Sequence, residues 1–241
     1  DSWNFILTDM NDDELVDIVV QTENGIVILH FNGFSFGSLI SVDSNNRQLT
    51  ETQAKDIDGD GDLELLYAEV TNDSTHIGWL KNLGDDFEAM DYLVSLEQSL
   101  SEFEIQLEDI NGDELPDLIY NSVDGIFQIS NLGDGNFSDP ELIISYEENL
   151  TGLSQVFLAS GDFDGDGELE ILRSSRFTGI DLLDQIGGGN YEKLNLMYEI
   201  SSFGHTVAFD FNEDELVDLL VIDKLNNQLV WYQNTGNLTF S

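Results

Sequence analysis

An acidic segment of nine residues recurs five times along the chain and constrains its fold more than any other feature. The five copies align without gaps, and their first residues lie 47, 53, 53 and 48 positions apart. Each copy has Asp at positions 1 and 5, Asp or Asn at position 3, and Asp or Glu at position 9. One such segment could arise by chance, but five in register indicate structural repeats of about 48 residues. We name the copies loop 1 to loop 5; they are residues 9–17, 56–64, 109–117, 162–170 and 210–218.

Short apolar segments follow every loop. They are residues 18–20, 65–67, 118–120, 171–172 and 219–222. Continuous runs of this length are typical of strands that are buried on both faces. A second strand-like element ends in an Asn/Gly turn, and an aromatic residue follows each turn: Phe36, Phe87, Phe137, Tyr191 and Phe240. A further strand-like segment completes four of the repeats.

Each repeat therefore predicts four short strands and no helix. A four-stranded sheet of this size cannot bury both of its faces alone, and radial stacking of such sheets solves that problem. The pattern predicts an all-β fold, a β-propeller of five four-stranded blades. A linear β-solenoid is the alternative, although its repeats are usually shorter. The single propeller domain is predicted to span residues 1–241, with repeats at approximately 1–47, 48–100, 101–153, 154–201 and 202–241.

The fifth repeat ends at Phe240 and Ser241, where the other repeats continue into a fourth strand. The fifth blade is therefore predicted to lack its outer strand. Exposed blade faces would promote aggregation, so we expect either that the five blades close as a small ring or that the native protein has more blades. Five nearly equal units favour the closed ring, which we expect to form part of a larger multidomain protein.

The chain has a large excess of negative charge. Its 241 residues include 49 Asp and Glu against 7 Lys and Arg, which gives a formal net charge of −42 at pH 7. Such charge opposes a compact state unless cations bind, and it makes nucleic acid and anionic membranes poor partners. Cysteine is absent, which excludes disulfides and thiolate metal sites. No apolar run approaches the length of a membrane span.

The loops have the oxygen-rich pattern of calcium sites. Ca²⁺ takes about six to eight oxygen ligands, and side chains at positions 1, 3 and 5 of a tight loop converge on one point. The main-chain carbonyl at position 7 can add a ligand, and the carboxylate at position 9 closes the cage. The loops contain no His or Cys, which argues against zinc or copper. Mg²⁺ is a weaker candidate because it resists dehydration.

We predict up to five Ca²⁺ ions, one per blade. The expectation is strongest for loops 2 and 4, which carry four carboxylates at positions 1, 3, 5 and 9, whereas the others carry three and an Asn. The predicted ligands are Asp9, Asn11, Asp13, Leu15 and Asp17; Asp56, Asp58, Asp60, Asp62 and Glu64; Asp109, Asn111, Asp113, Leu115 and Asp117; Asp162, Asp164, Asp166, Glu168 and Glu170; and Asp210, Asn212, Asp214, Leu216 and Asp218.

The repeat resembles the FG-GAP/VCBS family, which also forms the α-subunit propeller of integrins. The resemblance rests on the Asp-x-Asp-Gly-Asp-Gly loop before an apolar strand and on the Asn-x-Gly-x-Gly-x-Phe pattern of residues 131–137. It covers essentially the whole chain. It implies that each loop joins the first two strands of a blade and holds calcium. Propellers of the family commonly have seven blades, from which five repeats depart.

The leading functional hypothesis is a calcium-stabilised, non-catalytic binding or adhesion module, either secreted or on the cell surface. A structural role is expected for the metal because the loops repeat around the scaffold, whereas a catalytic metal would be singular. Extracellular calcium would fill weak sites that cytosolic levels would not. The expected ligand is a protein or a polysaccharide. The alternatives are a polysaccharide lyase or hydrolase, which few and mostly isolated basic residues disfavour, and a structural spacer in a large surface protein.

Histidines and tryptophans are the other candidate functional residues. His30, His76 and His205 occupy unrelated phases of the repeat, so we predict strand-face or loop residues without a catalytic role. Trp79 and Trp231 occupy equivalent positions, which favours packing between blades over stacking on sugar rings.

Overall fold

The computed structural model describes residues 5–22, 25–43, 49–84, 86–100, 104–146, 156–175, 179–186, 190–197 and 203–241. These residues form strands, turns and bends without a helix, so none of them belongs to a helix that could cross a membrane. Their strands form five small antiparallel sheets, which are the blades of a five-bladed β-propeller, and one separate two-stranded hairpin. The predicted fold class is therefore confirmed.

The blades follow one another along the chain. Blade 1 contains β1 (Phe5–Thr8), β2 (Asp17–Thr22), β3 (Gly25–Leu29) and β4 (Ile40–Asp43). Blade 2 contains β5 (Leu49–Lys55), β6 (Glu64–Val70), β7 (Thr75–Asn82), β8 (Phe87–Ala89) and β9 (Val94–Leu96), and the last two both pair with β7.

Blade 3 contains β10 (Ile105–Glu108), β11 (Asp117–Asn121) and β12 (Gly125–Ile129), then the hairpin of β13 (Asn131–Gly133) and β14 (Asn136–Phe137), and finally β15 (Glu141–Ser145). Blade 4 contains β16 (Val156–Gly161), β17 (Glu170–Ser175), β18 (Gly179–Gln185) and β19 (Tyr191–Met197). Blade 5 contains β20 (Phe203–Phe209), β21 (Asp218–Asp223) and β22 (Gln228–Tyr232).

The strand register is the same in every blade and places the acidic loop between the first two strands. Position 9 of the loop is the first residue of the second strand, and it pairs with the last residue of the first strand, as Thr8 pairs with Asp17 and Lys55 with Glu64. The residue after position 9 pairs with the third strand: Leu65 with Leu80 in blade 2, and Ile171 with Leu183 in blade 4. Positions in different blades can therefore be compared residue by residue.

Blade 5 has three strands in the described part of the chain, with only an isolated bridge from Asn234 to Phe240 beyond them. The prediction that this blade lacks its outer strand is confirmed for these residues. Two large apolar residues of blade 5 are also exposed. Phe211 and Trp231 are 41% and 47% exposed, whereas their counterparts in blade 4, Phe163 and Leu182, are fully buried in the core that blades 4 and 5 share.

Contacts divide the chain into two compact units. The first comprises Asp1–Phe103 and Ser130–Ser138, and the second comprises Glu104–Ile129 and Asp139–Ser241. In the first unit, one apolar core joins blades 1 and 2. In the second unit, two cores join blade 3 to blade 4 and blade 4 to blade 5. The predicted single-domain bounds and the closure of the blades stay predictions.

Candidate metal centres in the acidic loops

The Asp at position 1 organises the backbone of each loop. In loop 4, Asp162 Oδ1 accepts the N–H of Gly165 at 2.7 Å, and Oδ2 accepts the N–H of Gly167 at 3.0 Å. In loop 1, Asp9 accepts the N–H groups of Asp13 and Glu14 at 3.1 and 2.7 Å. A short carboxylate can accept neighbouring main-chain N–H groups in this way, which fixes a tight turn before any ion binds.

The loops need positive φ at positions 4 and 6. Loops 2 and 4 have glycine at both, such as Gly165 (φ 85°) and Gly167 (φ 90°), and glycine adopts this conformation without strain. Loop 1 places Asp12 (φ 56°) and Glu14 (φ 65°) there, and loop 5 likewise has Glu at both positions. The glycine-poor loops thus adopt the same backbone at a conformational cost.

The carboxylate at position 9 is fully buried in all five blades: Asp17, Glu64, Asp117, Glu170 and Asp218. In loop 1, Asp17 Oδ1 accepts the N–H of Phe31 at 2.8 Å, while Oδ2 accepts the N–H of Met10 at 3.1 Å and lies 2.7 Å from His30 Nδ1. In loop 5, Asp218 accepts the N–H of Asn234 at 2.7 Å and the indole N–H of Trp231 at 3.0 Å. These carboxylates therefore hold the blade together as well as facing the loop.

Loop 4 brings four carboxylates together. Asp162, Asp164, Asp166 and Glu170 each offer one oxygen, and these oxygens all lie within 4.8 Å of one another. Two ligands of one Ca²⁺, each at about 2.3–2.6 Å, cannot be more than about 5 Å apart, so this spacing fits a shared ion. Glu170 also fits, because its Oε1 is buried and is without a hydrogen-bond partner in the described structure.

Loop 2 forms a similar group from Asp56, Asp58 and Glu64, whose offered oxygens meet the same 4.8 Å limit. Asp58 Oδ1 is buried and unpartnered among the described residues. Loops 1, 3 and 5 form no such group in the residues that the structure describes. The ligand sets predicted for these three loops stay predictions. In loops 2 and 4, Asp62 and Glu168 at position 7 were predicted to bind only through their main-chain carbonyls.

The buried carboxylates of loops 2 and 4 are electrostatically costly without a cation. Burial raises the pKa of Glu170 to about 7. The hydrogen bond from the Phe163 N–H opposes this rise, and repulsion from the loop 4 aspartates adds to it. Burial likewise raises the pKa of Glu64 to about 7, and Asp58 and Asp60 repel its charge. A cation between these oxygens would relieve both effects. The donor set thus suits a hard divalent cation.

A lysine lies against loop 2. Lys81 Nζ hydrogen-bonds to Asp58 Oδ2 and lies 3.4 Å from Asp60 Oδ2. The hydrogen bond to Asp58 raises the pKa of Lys81 above its ordinary value. Sequence reasoning missed this residue, although aligning the third strands of the repeats would have placed it beside the loop.

Each of the first four loops is joined to the following blade by an amide side chain. Asn234 Nδ2 donates to the carbonyl of Phe163 at position 2 of loop 4, at 2.8 Å, and Asn131 Nδ2 donates to the carbonyl of Ile57 in loop 2 at 2.7 Å. The equivalent bonds of the other two loops run from Asn82 to Met10 and from Gln185 to Ile110. The turn motif in the sequence indicated these amides but not their role, which is to tie the loop of one blade to the next.

The other candidates have structural environments. His76 stacks on Tyr92 with ring centroids 4.6 Å apart, and His30 contacts Asp17, so both are strand-face or loop residues as predicted. The side chain of His205 lies outside the described residues. Trp79 is buried against Phe137 of the β13–β14 hairpin, which confirms packing between blades. Trp231 is half-exposed and donates its indole N–H to Asp218 of its own blade, so packing between blades stays a prediction for this residue.

Three solved structures have a similar fold, and the descriptions of two of them name a carbohydrate. A lectin of Agrocybe aegerita that recognises non-reducing terminal N-acetylglucosamine aligns with a TM-score of 0.75 at 19% identity, over 99% of this chain and 64% of its own. The rhamnogalacturonan lyase YesW aligns with a TM-score of 0.55 at 14% identity, over 100% of this chain and 51% of its own. The V. cholerae biofilm matrix protein Bap1 aligns with a TM-score of 0.50 at 17% identity, over 98% of this chain and 38% of its own. The chain therefore spans less than two thirds of the length of each, and the likeness shows a shared fold.

No curated protein matches the chain. The model of the FG-GAP-like repeat matches residues 9–67 and 109–173, which begin at loops 1 and 3 and extend through loops 2 and 4. These segments together make up about half of the chain. The chain belongs to the FG-GAP-like repeat family.

Proposed function

We propose that this chain is a calcium-stabilised, non-catalytic module of a secreted or cell-surface protein and that it binds carbohydrate. The observation that carries the calcium part is the group of four carboxylates in loop 4, with the buried and unpartnered Glu170 Oε1 among them. Leaving such an oxygen without a partner costs free energy, which a bound cation would recover. An acidic surface would account for exposed carboxylates but not for this one.

Calcium would stabilise the blades through contacts that the chain already makes. Asp162, Asp164, Asp166 and Glu170 would hold the ion, which would supply two positive charges to a buried anionic group. Glu170 accepts the N–H of Phe163 at 2.7 Å, and the carbonyl of Phe163 accepts the side-chain amide of Asn234. An ion that fixes loop 4 would therefore also fix the junction between blades 4 and 5.

Carbohydrate is the proposed ligand class because two neighbours of similar fold, a lectin and a lyase, bind or cleave it. The environments of two basic residues, Arg173 and Lys81, favour binding over cleavage. Arg173 is 4% exposed and is paired with the buried Asp181, and Lys81 is engaged by loop 2. Neither is placed to meet an acidic sugar in the way that a lyase would require. A polysaccharide-active enzyme is the alternative.

Calorimetric titration of the metal-free protein with CaCl₂, alongside MgCl₂, tests the calcium part. We expect saturable calcium binding with at least one ion per molecule, and weaker binding of magnesium. A titration with no calcium binding would contradict this part of the proposal.

The ligand class requires a separate measurement on the calcium-loaded protein. A glycan array and a turnover assay on the same polysaccharides are expected to give binding without cleavage. Cleavage would establish the enzyme alternative. Binding to no glycan would exclude the carbohydrate ligand and favour a protein ligand or a spacer role.

A further inference from the structure

One strand position beside the acidic loop carries a different side chain in each blade. The residue directly after loop position 9 pairs with a residue of the third strand, and the position in question is the next residue along that strand. The common register makes it equivalent in all blades. These residues are His30, Lys81, Ser130, Asp184 and Gln233. The position is positively charged in blade 2 and negatively charged in blade 4, the two blades whose loops gather carboxylates.

In blade 2 this residue provides a cation for the loop. Lys81 Nζ contacts Asp58 Oδ2 and Asp60 Oδ2, which are positions 3 and 5 of loop 2 and predicted metal ligands. Its side chain is 30% exposed, so the ammonium group lies at the mouth of the loop while Asp58 is buried beneath it. The charge that a metal would supply is thus partly supplied by the chain itself.

Blade 4 has the reverse arrangement. Asp184 follows Leu183, which pairs with Ile171 just after loop 4, so it occupies the place of Lys81. In the adjoining strand its partner is Glu192, and loop 4 itself carries a further carboxylate on Glu168, which is predicted to bind only through its carbonyl. The described residues show no lysine or arginine paired with the carboxylates of loop 4, in contrast to loop 2.

We infer that this strand position sets the calcium affinity of its loop, so that Lys81 makes loop 2 a weak site and Asp184 makes loop 4 the tight one. The inference rests on the proposed calcium role and concerns two loops with the same four carboxylates at positions 1, 3, 5 and 9. Calcium entering loop 2 must displace the ammonium of Lys81 from Asp58 or bind beside it against like-charge repulsion. Calcium entering loop 4 meets the additional carboxylate of Asp184, and no lysine or arginine of the described residues is paired with the loop as a competitor.

The direct test is calorimetric titration with CaCl₂ of Lys81→Met in an Asp164→Ala background, compared with Asp164→Ala alone. Asp164→Ala disables loop 4, and loops 1, 3 and 5 are the same in both proteins, so a difference in affinity reports on loop 2. Removal of one competing unit charge a few ångströms away is expected to tighten loop 2 about tenfold or more. Lys224→Met, which changes an exposed lysine of the β21–β22 turn, is the control and should leave the affinity unchanged. An unchanged affinity in Lys81→Met would overturn the inference.

The reciprocal substitution at Asp184 provides a second test, which remains valid if Lys81→Met does not fold. In an Asp58→Ala background, Asp184→Lys is expected to weaken loop 4 about tenfold or more, and Asp184→Asn is expected to weaken it less. Chelation adds a second readout, because Lys81→Met should lower the Tm in EGTA but not at saturating calcium. If the wild type binds calcium but a folded Lys81→Met or a folded Asp184→Lys variant shows an unchanged affinity, the inference fails and the calcium role stands. If neither the wild type nor any variant binds calcium, the inference and the proposed calcium role both fail.

Discussion

Asn234 of blade 5 donates a hydrogen bond of 2.8 Å from its side-chain amide to the main-chain carbonyl of Phe163 in loop 4. The same amide reaches the carbonyl of Val217 at 3.1 Å, and the side chain is fully buried. Phe163 in turn donates its N–H to Glu170. One residue of the acidic loop therefore links the candidate metal ligand Glu170 to the neighbouring blade.

Replacing this amide should destabilise the protein. Asn234→Ala leaves the buried carbonyl of Phe163 and the part-buried carbonyl of Val217 without this donor, and we expect a loss of about 1–3 kcal/mol in the free energy of unfolding. The measurement is urea unfolding at saturating calcium, with Asn72→Ala, an exposed asparagine, as the control. Equal stabilities of the two variants would show that the link between loop 4 and blade 5 contributes nothing.

Loop 4 should account for one bound calcium ion. Asp164→Ala removes a member of the four-carboxylate group, and we expect the calorimetric stoichiometry to fall by one ion. Asp91→Ala, which changes an exposed aspartate outside the loops, should keep the wild-type stoichiometry. If Asp164→Ala binds as many ions as Asp91→Ala, loop 4 is not a site.

The strained backbone of loop 1 should be open to improvement. Glu14 has a φ of 65°, and glycine relieves this strain but also increases the freedom of the unfolded chain. We expect Glu14→Gly to be more stable than Glu14→Gln by about 0.5–1 kcal/mol, since both lose the charge and only one loses the Cβ. Denaturant unfolding of the two variants measures the difference. A more stable Glu14→Gln would mean that the strain is absent in solution.

The raised pKa of Glu170 predicts a pH dependence of the calcium-free protein. Its pKa is about 7 in the folded state against 4.5 for the ordinary residue, so between these values the folded state holds a proton that the unfolded chain has lost. Stability should therefore fall as the pH rises from 4.5 to 7, and the penalty should be complete above pH 7.

Thermal unfolding in EGTA over this pH range checks the prediction. Glu170→Gln cannot ionise and should show a shallower dependence, while the many other carboxylates remain as in the wild type. Equal slopes for wild type and Glu170→Gln would rule out Glu170 as the cause.

The repeat determined how much of this structure could be predicted. Five acidic loops in register, each before an apolar strand, were sufficient for the blades and for the missing strand of blade 5. The ligand count also distinguished loops 2 and 4 from the rest, because the carboxylates of one loop are close in sequence. Lys81 and Asn234 could not be assigned in this way, since they meet the loops only through strand register and through the neighbouring blade. The covering of Trp231 could not be predicted from its equivalence to Trp79, because that equivalence does not specify the residue that packs against it.

Thermal unfolding at fixed ionic strength, with excess CaCl₂ or with EGTA, tests the calcium role most directly. Binding to the folded state alone contributes about 2.7 kcal/mol per site at a hundredfold excess over Kd. At about 2–4 °C per kcal/mol for a chain of this size, calcium should raise the Tm by at least several degrees, and MgCl₂ at the same concentration should raise it less. A Tm that is the same in calcium and in EGTA would contradict the account, because loops that bind no ion cannot stabilise the blades through it.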